Sequence, residues 1–161
     1  MSVFSTDIQK LKPSLTRHFC LLITGVAQMA KVELYEYCKT PSDYAPGFFE
    51  DDHIIPKSKN GTSTLDNLAL VCDGCNNAKA AKTEGIDPVS NRPVPLFHPR
   101  KDKWAEHFTW SNNSLIITGI SPAERATVEA LQLNRTPLVN LRSALFLAGV
   151  HPPADEPGRA E

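Results

Sequence analysis

Between Glu50 and Lys79 the chain sets out five side chains whose types suit work on a phosphate ester. Asp52 and His53 stand side by side, Asn67 follows fourteen residues after His53, Asn76 nine residues later, and Lys79 one helical turn beyond. A water that attacks phosphorus near neutral pH needs a proton acceptor, and an imidazole with an ordinary pKa of about 6.5 suits that task. The charge that builds on the phosphate and the leaving oxygen suits a hard divalent cation held by oxygen donors, of which a carboxylate (Asp52) and a side-chain amide (Asn76) are examples. So few protein ligands leave positions for water and phosphate oxygens. Asn67 both donates and accepts, which suits tying a loop to the backbone beside His53. Lys79 suits a phosphate contact as a point charge.

A second set of donors overlaps the first. Cys20, Cys38, Cys72 and Cys75 are too few and too unevenly spaced for a small disulfide scaffold. Cys72 and Cys75 form a C-x-x-C, a metal or redox spacing, and no βαβ context surrounds it to favour the redox reading.

The elements that must position these groups are short. Phe48 to Ile55 reads as a strand stopped by Pro56, and Lys57 to Asp66 as a polar loop with a turn at Asn60-Gly61. Leu68 to Val71 reads as a second strand, and Asp73 to Lys82 as a helix opening after Cys72. On such a helix Asn76 and Lys79 share a face. Neighbours on a flat strand point to opposite faces, so Asp52 and His53 require a twisted strand end. Upstream, one helix is expected between Ser14 and Val32. Downstream come a proline-punctuated connector (Asp87 to Arg100), an aromatic cluster (Trp104, Phe108, Trp110) expected to be a packing unit, and a strand at Leu115 to Ile117. Ser121-Pro122-Ala123-Glu124 is a capping-box helix start, and a further helix runs from Thr136-Pro137 to about Ala148 with Gly149 as its stop.

The chain has 161 residues, 41% hydrophobic and 22% charged, as expected of a soluble globular protein rather than a disordered one. Lys and Arg total 17 against 18 for Asp and Glu, a net charge of -1 that excludes a strongly basic coat protein but not a local basic groove. Arg100, Lys101 and Lys103 make one small basic patch. The longest apolar stretch, Phe19 to Ala30, is interrupted by Thr24, Gly25 and Gln28 and falls short of a membrane span, so a cytoplasmic protein with no membrane partner is expected.

In the string FFEDDHIIPKSKNGTSTLDNLALVCDGCNNAKAAK the D-H-I-I-P, the D-N-L and the C-x-x-C-N-x-x-K resemble the HNH endonuclease family in order and spacing, with a resemblance reaching from about Glu33 to Arg142. The resemblance implies an α+β fold with a ββα-metal core, a short β-hairpin and a helix, flanked by further helices and a Pro-rich connector. It implies a nuclease domain over 33–110, between a helical extension at 1–32 and a C-terminal helical extension at 111–150, with a flexible tail at 151–161. It implies His53 as general base, Asn67 as the orienting asparagine, and Asp52 and Asn76 as ligands of a catalytic Mg²⁺ or Mn²⁺. Lys79 is expected to support catalysis at a phosphate, and double-stranded DNA is the expected partner. Members with a structural zinc carry two C-x-x-C pairs; here Tyr35 stands where the first cysteine is expected, leaving Cys38, Cys72 and Cys75 as an incomplete zinc set, with Cys20, a water or nothing in fourth place. The competing expectation is a non-catalytic zinc-ribbon-like module that binds nucleic acid or protein and keeps the motif as scaffold.

Overall fold

Two short antiparallel strands open the described architecture: β1 (Glu50–His53) pairs with β2 (Leu68–Val71), placing Asp52 opposite Ala69 and His53 opposite Leu68. The computed structural model describes residues 33–44 and 50–153. The chain divides into two units between residues 31 and 32, and all that follows belongs to the second. The helix expected within Ser14 to Val32, the extension 1–32 and Cys20 lie outside the described residues.

Strand β2 alternates, with Ala69 and Val71 buried and Leu68 and Leu70 half-buried, so one face lies on the core. Helix α1 (Asp73–Lys79) follows at once, with Cys72 as its N-cap residue in extended geometry. It ends three residues short of the Lys82 expected from the Ala/Lys run. Ala80 takes φ +47°, and Lys82 Nζ caps the Ala78 carbonyl at 2.6 Å. The turn into the next strand overrides helix propensity.

The Pro-rich connector is not featureless: β3 (Glu84–Ile86) and β4 (Pro93–Pro95) form a second hairpin with Gly85 opposite Val94. Prolines donate nothing to a ladder and hide this strand from a propensity reading. After α2 (Trp104–His107) comes a third hairpin, β5 (Phe108–Ser111) with β6 (Ile116–Gly119). Helix α3 (Pro122–Ala130) begins with the expected capping box, the Ser121 N–H donating to Glu124 Oε2 at 2.9 Å. Helix α4 (Thr136–Leu147) begins at Thr136-Pro137 and is followed by Gly149 at φ +73°. The fold of the described residues is thus mixed α+β, built of small hairpins and helices. None of the described helices is long and apolar enough to cross a membrane.

One core joins these pieces. Tyr35, Tyr37, Val71, Trp104, Phe108, Ile117, Leu131, Leu133 and Leu138 belong to a single buried cluster, so the helices after residue 111 share the core of the hairpin that carries Asp52 and His53. Each large apolar side chain so buried contributes roughly 1.5–3 kcal/mol. Trp104 stacks on Phe108 at 5.1 Å, as a packing unit should. Asp87, fully buried, receives Arg125 at 2.8 Å and Ser90 at 2.6 Å, which ties the second hairpin to α3 and holds its carboxyl well below the usual carboxylate range, Arg125 first. The expected flexible tail from residue 151 is corrected at its start. His151 is buried, bonds the Ser114 carbonyl at 2.7 Å and meets Trp110 edge-on at 4.7 Å, and burial pushes its pKa down. Residues 154–161 lie outside the described residues.

Candidate functional site

Asp52 and His53 close strand β1, and their side chains part there as alternation requires. The Asp52 carboxylate turns to helix α1, where its Oδ2 lies 2.7 Å from Lys79 Nζ. The His53 ring turns to the loop, its Nε2 2.9 Å from Ser63 Oγ. Lys79 joins the two residues from below, since its ammonium also donates to the His53 carbonyl at 2.7 Å. At 1% exposure that ammonium is an interior group spent on Asp52 and the backbone. The sequence expectation of a phosphate contact meets here a lysine that positions the strand end.

The side-chain amide of Asn67 ties the two ends of the loop from Ile54 to Asn67 together. Asn67 Oδ1 accepts from the Ile55 N–H at 2.9 Å, and its Nδ2 donates to the carbonyls of Ile55 at 2.9 Å and Thr62 at 2.7 Å. Its own carbonyl accepts from the Ile54 N–H at 2.9 Å. A buried side chain with every polar atom satisfied fixes the backbone on either side of the loop, and with it the residue next to His53. Asn60 takes the left-handed conformation at φ 62°, which asparagine tolerates. Gly61 is required by contact: a Cβ there would fall 1.7 Å from the Ile55 carbonyl oxygen.

Asn76 lies half-buried on α1, one turn before Lys79, with its N–H bonded to the Cys72 carbonyl at 2.9 Å. Asp52 and Asn76 are hard oxygen donors, and Asp52 Oδ2 is buried without a hydrogen bond of good geometry although Lys79 faces it. A carboxylate pinned through one oxygen and an amide on the helix that pins it fit a hard divalent cation in donor chemistry.

The sulfur donors are closed in. Cys38, Cys72 and Cys75 are buried, with their Sγ atoms all within 4.8 Å of one another and Cys38 to Cys72 at 4.0 Å. Thiolates about 2.3 Å from one tetrahedral ion would stand roughly 3.8 Å apart, so the set fits a zinc-like ion. Tyr35, buried in the place of the expected first cysteine, keeps its proton: burial first, and then Cys72 and Cys38, raise its pKa to about 12. The Cys72 thiol is drawn well below its ordinary value, by its contact with Cys38 and then that with Cys75, while Arg135 adds to the effect. Arg135 Nη2 lies 3.3 Å from Cys72 Sγ and its Nη1 3.5 Å from Cys75 Sγ.

Two residues around these sites escaped the sequence reading. Ser63 carries a signal only in hindsight, as a hydroxyl two positions after the Asn-Gly turn. Arg135 carries none, because sixty residues separate it from Cys75. Of the basic patch, Arg100 is spent on Glu36 and the Leu65 carbonyl, and Lys103 pairs with Glu106.

A strand end with a carboxylate and an imidazole, a loop clamped by one asparagine, and a helix rising from a thiol cluster define a small mixed α+β domain with two donor sets of opposite character. Residues 36–82, under a third of the chain, match the family model for HNH endonuclease, which points to nuclease-type or nucleic-acid-binding function for this segment. The match stops short of the Arg142 to which the resemblance was expected to reach. No curated protein and no solved structure matches the chain.

Proposed function

We propose that this domain is a metal-dependent endonuclease that hydrolyses DNA phosphodiester bonds, with a ββα-metal centre formed by β1, β2 and α1. The observation that carries the reading is the His53 imidazole held through Nε2 by Ser63 at a strand end whose backbone Asn67 and Lys79 both fix. With Nε2–H donating to Ser63 Oγ, the lone pair rests on Nδ1, the nitrogen left to take a proton. His53 removes that proton from water as the water oxygen bonds to phosphorus and the bond to the 3′ oxygen breaks. Asp52 and Asn76 would hold a Mg²⁺ or Mn²⁺ ion, which supplies stabilisation of the charge on the phosphate and the leaving oxygen. Lys79 keeps Asp52 and the His53 carbonyl in register rather than meeting the phosphate. Double-stranded DNA is the partner this reading favours.

Cys38, Cys72 and Cys75 are read as a structural metal site, with zinc as its ion. The sulfur triad also supports a second reading, a zinc-bearing module that binds nucleic acid without cutting it.

Plasmid nicking with Mg²⁺ or Mn²⁺, with and without chelator, separates the two. The wild type should nick, and His53→Ala should lose on the order of 10²–10⁴ in rate. Binding without cleavage in every metal selects the non-catalytic module, and full activity in His53→Ala removes the imidazole from its role.

A further inference from the structure

Three thiolates around one divalent ion leave one negative charge uncompensated, and a closed apolar site tolerates such a charge poorly. The chain has no fourth cysteine among the described residues near this cluster. What approaches instead is a cation. Arg135, the residue before helix α4, lays both terminal nitrogens of its guanidinium on the sulfurs of Cys72 and Cys75.

The approach is built into the backbone of α1. A Cβ at Gly74 would meet Arg135 Nη2 at 2.3 Å, Cζ at 2.7 Å and Nε at 2.9 Å, so the guanidinium packs directly against Gly74 and a side chain there would have to displace it. The same Nη1 that meets Cys75 also donates to the Gln132 carbonyl at 3.3 Å, which ties the guanidinium to the turn between α3 and α4. Residues 74 and 135 are therefore fitted to each other across the site, and residue 135 belongs to the segment beyond the family match.

We propose that Arg135 is the charge-balancing partner of the Cys38–Cys72–Cys75 metal site, adding a cation to a set that offers three thiolates among the described residues, and that through it the start of helix α4 is held more tightly when the ion is bound. The inference rests on the reading of the three cysteines as a metal site. Ion, thiolates and guanidinium sum to zero formal charge, and the N–H···S contacts draw charge from the sulfurs while orienting them, as partners of metal ligands do. The metal centre and the C-terminal helix then form one cooperative piece: loss of the ion frees a buried set of thiols and withdraws the anchor of the guanidinium together.

The full-length chain tests this in three measurements. Metal analysis of the purified wild type should give about one zinc per chain, and cobalt(II) exchanged into it should show thiolate charge-transfer bands. A wild type that holds neither ion ends the metal-site reading itself. If the metal is there, zinc transfer to a competing chelator should be roughly 10–100-fold easier from Arg135→Gln and Gly74→Ala than from wild type, with Arg135→Lys between them. Zinc held as tightly by Arg135→Gln as by wild type overturns the role of Arg135 while leaving the metal site standing. Hydrogen exchange on the wild type covers the case in which a variant does not fold. Stripping the zinc should raise exchange over residues 136–147 more than over the β5–β6 hairpin, and protection of α4 indifferent to zinc overturns the hold on the helix.

Discussion

Helix α1 is seven residues long and carries two kinds of chemistry at its two ends. At its start Cys72 and Cys75 join Cys38 in a cluster where Tyr35 covers one side and Arg135 lies across the sulfurs. Toward its end Asn76 is half-buried and Lys79 reaches β1 at Asp52, next to the imidazole that ends the strand. Closed sites with soft donors hold structure, and sites with few hard donors and open positions do chemistry. The contrast shows how one short helix carries two donor sets of opposite character: the two are joined through the backbone, since the Asn76 N–H is bonded to the carbonyl of Cys72 itself.

The comparison breaks most readily at the closed end. Cys75→Ser removes a buried sulfur that meets both the cluster and Arg135, and should abolish metal content and cooperative thermal melting together. His53→Ala should melt within about 1 kcal/mol of wild type, because its ring makes one exposed side-chain bond. Melting curves of the two variants side by side read this directly. A Cys75→Ser protein that melts like wild type would erase the distinction between a structural end and a reactive one.

Lys79 gives the next largest effect and sharpens the boundary between the ends. A buried ammonium paired with a carboxylate at 2.7 Å cannot be cut away without stranding the partner, so Lys79→Met should cost roughly 3–5 kcal/mol in chemical denaturation. A lysine that met phosphate instead would leave stability unchanged and lower the salt dependence of DNA binding by about one ion. Denaturant curves and salt titrations on the same variant distinguish the two roles.

What was legible in the sequence was local. Pro56, Asn60-Gly61 and Asn67 dictate a loop closed on itself within fourteen residues, and the loop is found closed by the Asn67 amide. The Ser121–Glu124 capping box and the Gly149 stop are likewise short-range and are found where the spacing put them. The rest depended on contacts that spacing does not encode. A lysine is by default a solvated charge, so the burial of Lys79 follows only from where β1 crosses α1. Pro93 and Pro95 silence the signal of a strand that exists because its partner is an adjacent edge. His151 was read as tail because a His-Pro-Pro stretch is polar and breaks helices, yet the space against Trp110 takes it in. Arg135 meets Cys72 and Cys75 across two intervening hairpins and two helices, and no periodicity reaches that far.

The smallest effect belongs to Ser63 and tests the open end alone. Its hydroxyl stands in the exposed part of the loop, so Ser63→Ala should change stability by no more than about 0.5 kcal/mol. On the proposed reading, the bond to His53 Nε2 nevertheless sets the ring and leaves Nδ1 as the proton acceptor. One hydrogen bond of this kind is worth about 0.5–1.5 kcal/mol, which converts to roughly a three- to tenfold loss of nicking rate. Ser63→Thr keeps the hydroxyl and should recover most of the rate, a rescue that a purely steric role would not produce. If both variants nick at the wild-type rate, the imidazole is oriented by its backbone alone, and the loop holds the strand end without touching the ring.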